Sequence, residues 1–128
     1  VNGELLTESR CNGIVVGTPT GSSGFLSSLG APLIINHPDI YQFSILAACK
    51  NRLYTNPIAK AILSGKDELK ISVENSCKIE IYIDGGHRIG CCGRKFTFSH
   101  REDKFVSLVH LRKLSQVKRL RKNISGKD

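Results

Sequence analysis

The 128-residue chain has no Met and no Trp, and no Lys occurs between Glu4 and Lys50. The missing Lys excludes a P-loop, whose second glycine must be followed by Lys and then Ser or Thr. No apolar run approaches the roughly 20 residues that cross a bilayer, and no signal peptide is visible at the start. A cytoplasmic setting without a membrane is therefore expected. The five cysteines, Cys11, Cys49, Cys77, Cys91 and Cys92, lack C-x-x-C spacing, which argues against a disulfide framework and for reduced thiols that fill the core or stand by. His37, His87, His100 and His110 show no H-E-x-x-H or paired zinc spacing, so no metal site is expected.

What the chain does carry is charge of one sign at one end. The formal net charge is +8, and residues 111–128 hold seven Lys or Arg and one Asp, leaving residues 1–110 with twelve basic and ten acidic side chains. Leu111, Leu114, Val117 and Leu120 recur every three residues there, with Arg112, Lys113, Lys118, Arg119, Arg121 and Lys122 on the other faces. That spacing predicts a basic amphipathic helix, docked by its leucines and solvated on its charged face. No aromatic residue interleaves the basic run, so the stacking platform of single-strand binders is missing and nucleic acid is not the expected partner. Two units follow: a domain over residues 1–110 and a helical tail over residues 111–128.

The first unit reads as mainly β. Ile79, Ile81 and Ile83 alternate with Lys78, Glu80 and Tyr82, so one face of that strand is buried and the other is not. Further strands are expected over residues 40–48, 69–73 and 96–98, and Asn2-Gly3 predicts a tight turn entering another. Ser64-Gly65-Lys66-Asp67 and Asp84-Gly85-Gly86 read as turns. Many short strands with turn signals suggest a β-sandwich around one core, and a chain of this size buries roughly two-thirds of its unfolded surface.

Residues 13–30 carry the most chemistry. An apolar β-branched strand, Ile14-Val15-Val16, is followed by Thr18-Pro19-Thr20-Gly21-Ser22-Ser23-Gly24 and then by a short helix with Phe25 and Leu26. Four hydroxyls and a run of backbone N–H groups at a helix start suit a phosphate or ribose. The dinucleotide fingerprint fails, because Pro19 stands where its first glycine belongs, and no G-x-S-x-G elbow is present. Gly21-Ser22-Ser23-Gly24 would also fit the GxxG loop of a KH domain, but that loop joins two helices. A plain strand-to-helix turn with Ser22 or Ser23 as N-cap is the alternative. Asp84 likewise reads equally as a simple hairpin-turn residue.

The run from Asn12 through Phe25, followed by Ser27-Ser28-Leu29-Gly30-Ala31-Pro32, resembles the signature of the NAD kinase family: a D-G strand, T-P-T-G-S-T-A-Y and a small-residue stretch ending in G-G-P. Ile81-Tyr82-Ile83-Asp84-Gly85-Gly86 is similar to the family's later D-G motif. The likeness runs from about Val1 to about Leu114. Family members also carry G-G-D-G and N-E motifs, which do not occur in these 128 residues. The chain therefore looks like the later part of an NAD kinase, opening inside its C-terminal domain.

The resemblance implies a C-terminal-domain-like β-sandwich with one short helix after the Thr18–Gly24 loop and a basic C-terminal helix. It implies phosphorylation of the adenosine ribose 2′-hydroxyl of NAD to give NADP, with ATP or polyphosphate as donor. Mg²⁺ and the proton acceptor would come through an N-terminal α/β domain, so this stretch alone is expected to be inactive and to hold no catalytic residue. Asn12, Thr18, Thr20, Gly21, Ser22, Ser23, Phe25, Ser28 and Asp84 are the dinucleotide-binding candidates. Asn12 stands where the family has Asp and so brings no charge; Phe25 replaces Tyr, keeping the π-face without the hydroxyl. A homodimer or homotetramer is implied, with Asp84 of one copy near the loop of another. A non-catalytic nucleotide-sensing or assembly domain, and a basic nucleic-acid-binding module, are the competing readings.

Overall fold

The computed structural model describes residues 1–50, 52, 57–74, 79–91, 93–101, 103–104 and 114–126. The expected elements or sites at Cys77, Cys92, His110 and residues 111–113 lie outside them. The described residues form mainly antiparallel β-structure. Strand β1 (Gly13–Gly17), strand β2 (Ile40–Leu46) and strand β3 (Lys60–Ser64) make a three-stranded sheet in that order. Strand β4 (Leu69–Ser72) pairs with β7 (Lys95–Phe98), and β5 (Ile79–Ile83) with β6 (His87–Cys91).

Period-two alternation sets the core. Residues directly opposite each other in a ladder share a face, so the β1–β2 and β2–β3 registers put Val16, Phe43 and Ala61 on one face, with Ile45 and Tyr41 beside Phe43. Tyr41, Phe43, Ile45 and Leu63 are buried there against Leu69 of β4, with Ile71 and Phe98 of the second sheet packed around them. Two sheets thus close on one core, as the sandwich reading requires.

Several boundaries differ from the sequence expectation, each for a local reason. Strand β2 stops at Leu46 rather than residue 48, because Ala47 takes a φ of 48° that no strand continues through. The β1 segment is not fully buried: Ile14 is exposed, since β1 is an edge strand. Asn2 and Gly3 do form a tight turn, with φ of 51° and 87°, but no strand follows it and Leu5 is exposed. Asn2 is instead clamped to the next turn, its amide donating to Asp67 Oδ1 at 2.8 Å and its oxygen accepting from Glu68 N at 2.9 Å. The pattern Lys60-Ala61-Ile62-Leu63-Ser64 was not expected as a strand, since Ile62 blurs its polar face, and His87–Cys91 was likewise missed.

The C-terminal helix is shifted. Helix α2 (Gln116–Ser125) begins after Ser115, whose hydroxyl accepts from Lys118 N, and ends at Gly126 in the left-handed region with φ 63°. Leu114 precedes the helix and is exposed, Leu120 is half-buried, and no residue of α2 is fully buried; Leu111 lies outside the described residues. Gln116 Oε1 ties the helix to the first unit, accepting from Asn36 N at 2.8 Å. Among the described residues no helix is long and apolar enough to span a membrane. Cys11 and Cys49 are exposed, so neither fills the core.

Two outcomes test this description. Phe43→Ala should cost about 3 to 5 kcal/mol of stability in urea unfolding, the usual range for an aromatic removed from a packed core. The Asp67 carboxyl is held below its ordinary range, first by the Asn2 amide and then by the Ser64 N–H. A lowered native value stabilises above the unfolded one, near about pH 4, and that contribution is lost as pH falls through the native one. Asp67→Asn should therefore flatten the acid limb of a stability profile measured by chemical denaturation.

Candidate functional site

The loop after β1 is built on one face of the first sheet. Opposite the core face, the registers align Gly17 with Gln42 and Ile62, and Val15 with Ser44 and Lys60. Helix α1 (Phe25–Ser28) reaches down onto this face at Gly17, where a Cβ would overlap Leu26 Cδ1. Glycine is needed there for close approach. Leu26 is buried and anchors the turn, while Phe25, one position earlier, is 62% exposed.

Between β1 and α1 the chain makes a 3-10 turn over Thr20–Ser23. Ser22 N donates to Pro19 O at 3.1 Å and Gly24 N to Gly21 O at 3.1 Å, so these two N–H groups turn inward. The Ser22 hydroxyl donates to Pro19 O at 2.6 Å and accepts from Ile34 N at 3.1 Å, and its residue is 1% exposed. Neither Ser22 nor Ser23 caps α1, whose N-cap is Gly24 without a side-chain bond. With only one turn, α1 aligns too few peptides for the helix-dipole argument drawn from the sequence. Thr18 Oγ1 accepts from Gly21 N at 3.5 Å, Ser23 Oγ donates to Thr20 O at 3.4 Å, and Ser28 Oγ to Phe25 O at 2.7 Å.

The outward-facing residues of this segment are Thr18, Thr20, Gly21, Ser23, Phe25 and Ser28; Ser22 is its internal brace. Asn12 is exposed but at the opposite end of β1 from Thr18, roughly 20 Å away at the strand rise per residue. Asp84 is exposed at the tip of the β5–β6 hairpin. Asp84 and Gly85, with φ of 48° and 74°, are the central residues of a β-turn closed by Gly86 N donating to Ile83 O at 3.2 Å, within a three-residue connection to His87. Among the described residues, no hydrogen bond or ion pair joins Asp84 or Asn12 to the loop within one copy.

Residues 12–36 contain no acidic or basic side chain. The nearest charge that bonds to the segment comes from β3: Lys60 Nζ donates to Leu29 O at 2.5 Å and Gly30 O at 2.9 Å. Gln42 Nε2 donates to Pro32 O at 3.1 Å from a side chain 1% exposed. Sequence reading singled out neither residue. Gln42 lies in an apolar run, and Lys60 in a strand too short and too mixed to be recognised. Among the described residues no group of three His, Cys, Asp or Glu converges as a metal site.

The model of the ATP-NAD kinase C-terminal domain matches residues 1–107. The NAD kinase of Thiobacillus denitrificans is 24% identical over 124 residues, covering 97% of this chain and 41% of that protein. The mitochondrial NADH kinase pos5 of Schizosaccharomyces pombe is 33% identical over 125 residues, covering 84% of this chain and 31% of that protein. The NAD kinase of Nitrosomonas europaea is 26% identical over 110 residues, covering 86% of this chain and 36% of that protein. The chain spans only 31% to 41% of the length of these relatives.

The geometry separates bracing hydroxyls from outward ones. Ser22→Ala strips the Ile34 N–H of its buried acceptor and should cost about 1 to 3 kcal/mol. Thr20→Ala and Ser23→Ala should stay within about 0.5 kcal/mol of the parent, as exposed substitutions usually do. Thermal denaturation of the three variants reads the difference directly.

Proposed function

The chain belongs to the ATP-NAD kinase C-terminal domain family, and on that footing we propose that it supplies the dinucleotide-binding half of an NAD kinase. The observation that carries the reading is an aromatic ring left out of the core, Phe25 at 62% exposed, set directly after the turn of outward hydroxyls. A ring in that position offers adenine a stacking face. Thr18, Thr20 and Ser23 then offer oxygens, and Gly21 a close backbone approach, to the ribose and phosphates beside it. Ser22 serves the same site from below by fixing the turn.

The relatives are named for NAD in two cases and NADH in a third. The adenosine half is common to both dinucleotides, and it is this half that we assign to the loop. The reaction moves a phosphoryl group from ATP or polyphosphate to the ribose 2′-oxygen: the donor P–O bond breaks, a new P–O bond forms and the hydroxyl proton leaves. Mg²⁺ would neutralise the phosphate charge during such a transfer. No group of three His, Cys, Asp or Glu converges among the described residues, and the ion and the proton acceptor are placed with the N-terminal domain with which this part would work.

Asn12 and Asp84 take a different place in this reading. Asn12 stands at the far end of β1 from the loop, and Asp84, at its hairpin tip, would reach a dinucleotide held by a neighbouring copy, which requires a homo-oligomer. The soluble, cytoplasmic setting belongs to the same proposal.

Calorimetric titration of the chain with NAD is the direct test. Phe25→Ala should weaken binding by about 1 to 3 kcal/mol, the range for base–aromatic stacking, with an unchanged melting temperature. Equal affinity in parent and variant would reduce Phe25 to a surface residue. Incubated with NAD, ATP and Mg²⁺, the 128-residue chain should form no NADP above a boiled control.

A further inference from the structure

The loop and helix α1 cannot hold themselves in place. A single helical turn is far below the length at which a helix is stable alone, and α1 has no side-chain cap, no acidic residue in its first turn and no basic residue in its last. Its position on the sheet depends on partners from other elements. Leu26 fills the notch at Gly17, Ser22 binds Ile34 N, and Gln42 binds Pro32 O. The fourth partner is Lys60, whose ammonium spans the carbonyls of Leu29 and Gly30 just past the end of α1. Gly30 lies in the left-handed region at φ 67°, and an added Cβ there would come to 3.2 Å of Lys60 Nζ, so the turn is shaped to receive the ammonium closely.

The other three contacts are neutral. Lys60 alone brings a full charge to the turn, and a hydrogen bond from an ammonium to a carbonyl is stronger than one between neutral groups. It stands on β3 directly across from Ser44 of the doubly buried β2, so the clip ties α1 to the strand paired with the centre of the sheet. We propose that Lys60 is a positioning residue for the nucleotide loop: it clamps the exit of α1 and thereby holds Phe25 and the outward hydroxyls in register for a ligand. The inference rests on the dinucleotide reading for its ligand but not for its geometry.

The test compares the full chain with Lys60→Met, which keeps the stem and removes the ammonium, and Lys60→Arg, which keeps a cationic donor. Amide hydrogen exchange is followed without ligand, and NAD is titrated separately. In Lys60→Met the amides of residues 24–31 should exchange faster by roughly tenfold, with NAD affinity weaker by a similar factor, the scale expected for charge-assisted bonds at a partly solvated site. The β2 amides should keep parent rates, and Lys60→Arg should recover most of both losses. Unchanged exchange in residues 24–31 would overturn the clamp, and so would an equal rise in β2, which marks general destabilisation. If the parent chain fails to bind NAD while the exchange difference persists, the dinucleotide reading falls and the clamp stands.

Discussion

Strand β2 has no face turned to water, and the rest of the domain is arranged around that fact. Tyr41, Phe43 and Ile45 point one way into the apolar core, while Gln42 and Ser44 point the other way and are 1% and 0% exposed. The apolar side stabilises by ordinary burial, about 1.5 to 3 kcal/mol for each large side chain. The polar side is the more constraining, because a buried amide or hydroxyl must find a partner. Gln42 finds Pro32 O, which fixes the return segment after α1. The Ser44 hydroxyl has no hydrogen-bond partner among the described residues.

The polar face is thus a foundation. Ser22, Gln42 and Lys60 each bond to a backbone group of the segment from Pro19 to Ile34, and together they turn a stretch without any charged side chain into a fixed platform. An uncharged platform binds through hydroxyls, peptide dipoles and one aromatic ring. Charge for a phosphorylated ligand would come from outside it, from Lys60 or from another copy or domain. In the function proposed above, such a platform would hold one half of a dinucleotide and leave the chemistry to the rest of the protein.

The periphery obeys local rules. The β5–β6 hairpin turns at Asp84-Gly85 because both residues accept positive φ, and this makes Asp84 a tip residue whatever else it does. Helix α2 lies beyond the residues that the family model matches. It is closed at both ends by its own caps, Ser115 and Gly126, and touches the domain through the Gln116 bond to Asn36. It directs Val117 and Ile124 outward at 55% and 54% exposure, while Arg119 and Leu120 are half-buried.

The sequence by itself determined the local features, because their causes lie within a few residues. Alternation marked β5, the Asn2-Gly3 and Asp84-Gly85 pairs marked their turns, and the Asn12–Phe25 run carried the family. It also placed a helix after the loop and a mainly β fold around one core. Only the tertiary structure decided which loop hydroxyls face out. Ser22 and Ser23 are neighbours of the same kind, yet one braces Ile34, twelve residues away, and the other stays at the surface. Lys60 and Gln42 were silent for the same reason: their partners, Leu29, Gly30 and Pro32, are ten to thirty-one residues distant. Periodicity reports which face a residue occupies, whereas the carbonyl that meets it there is set by sheet register and by how the chain returns over the sheet.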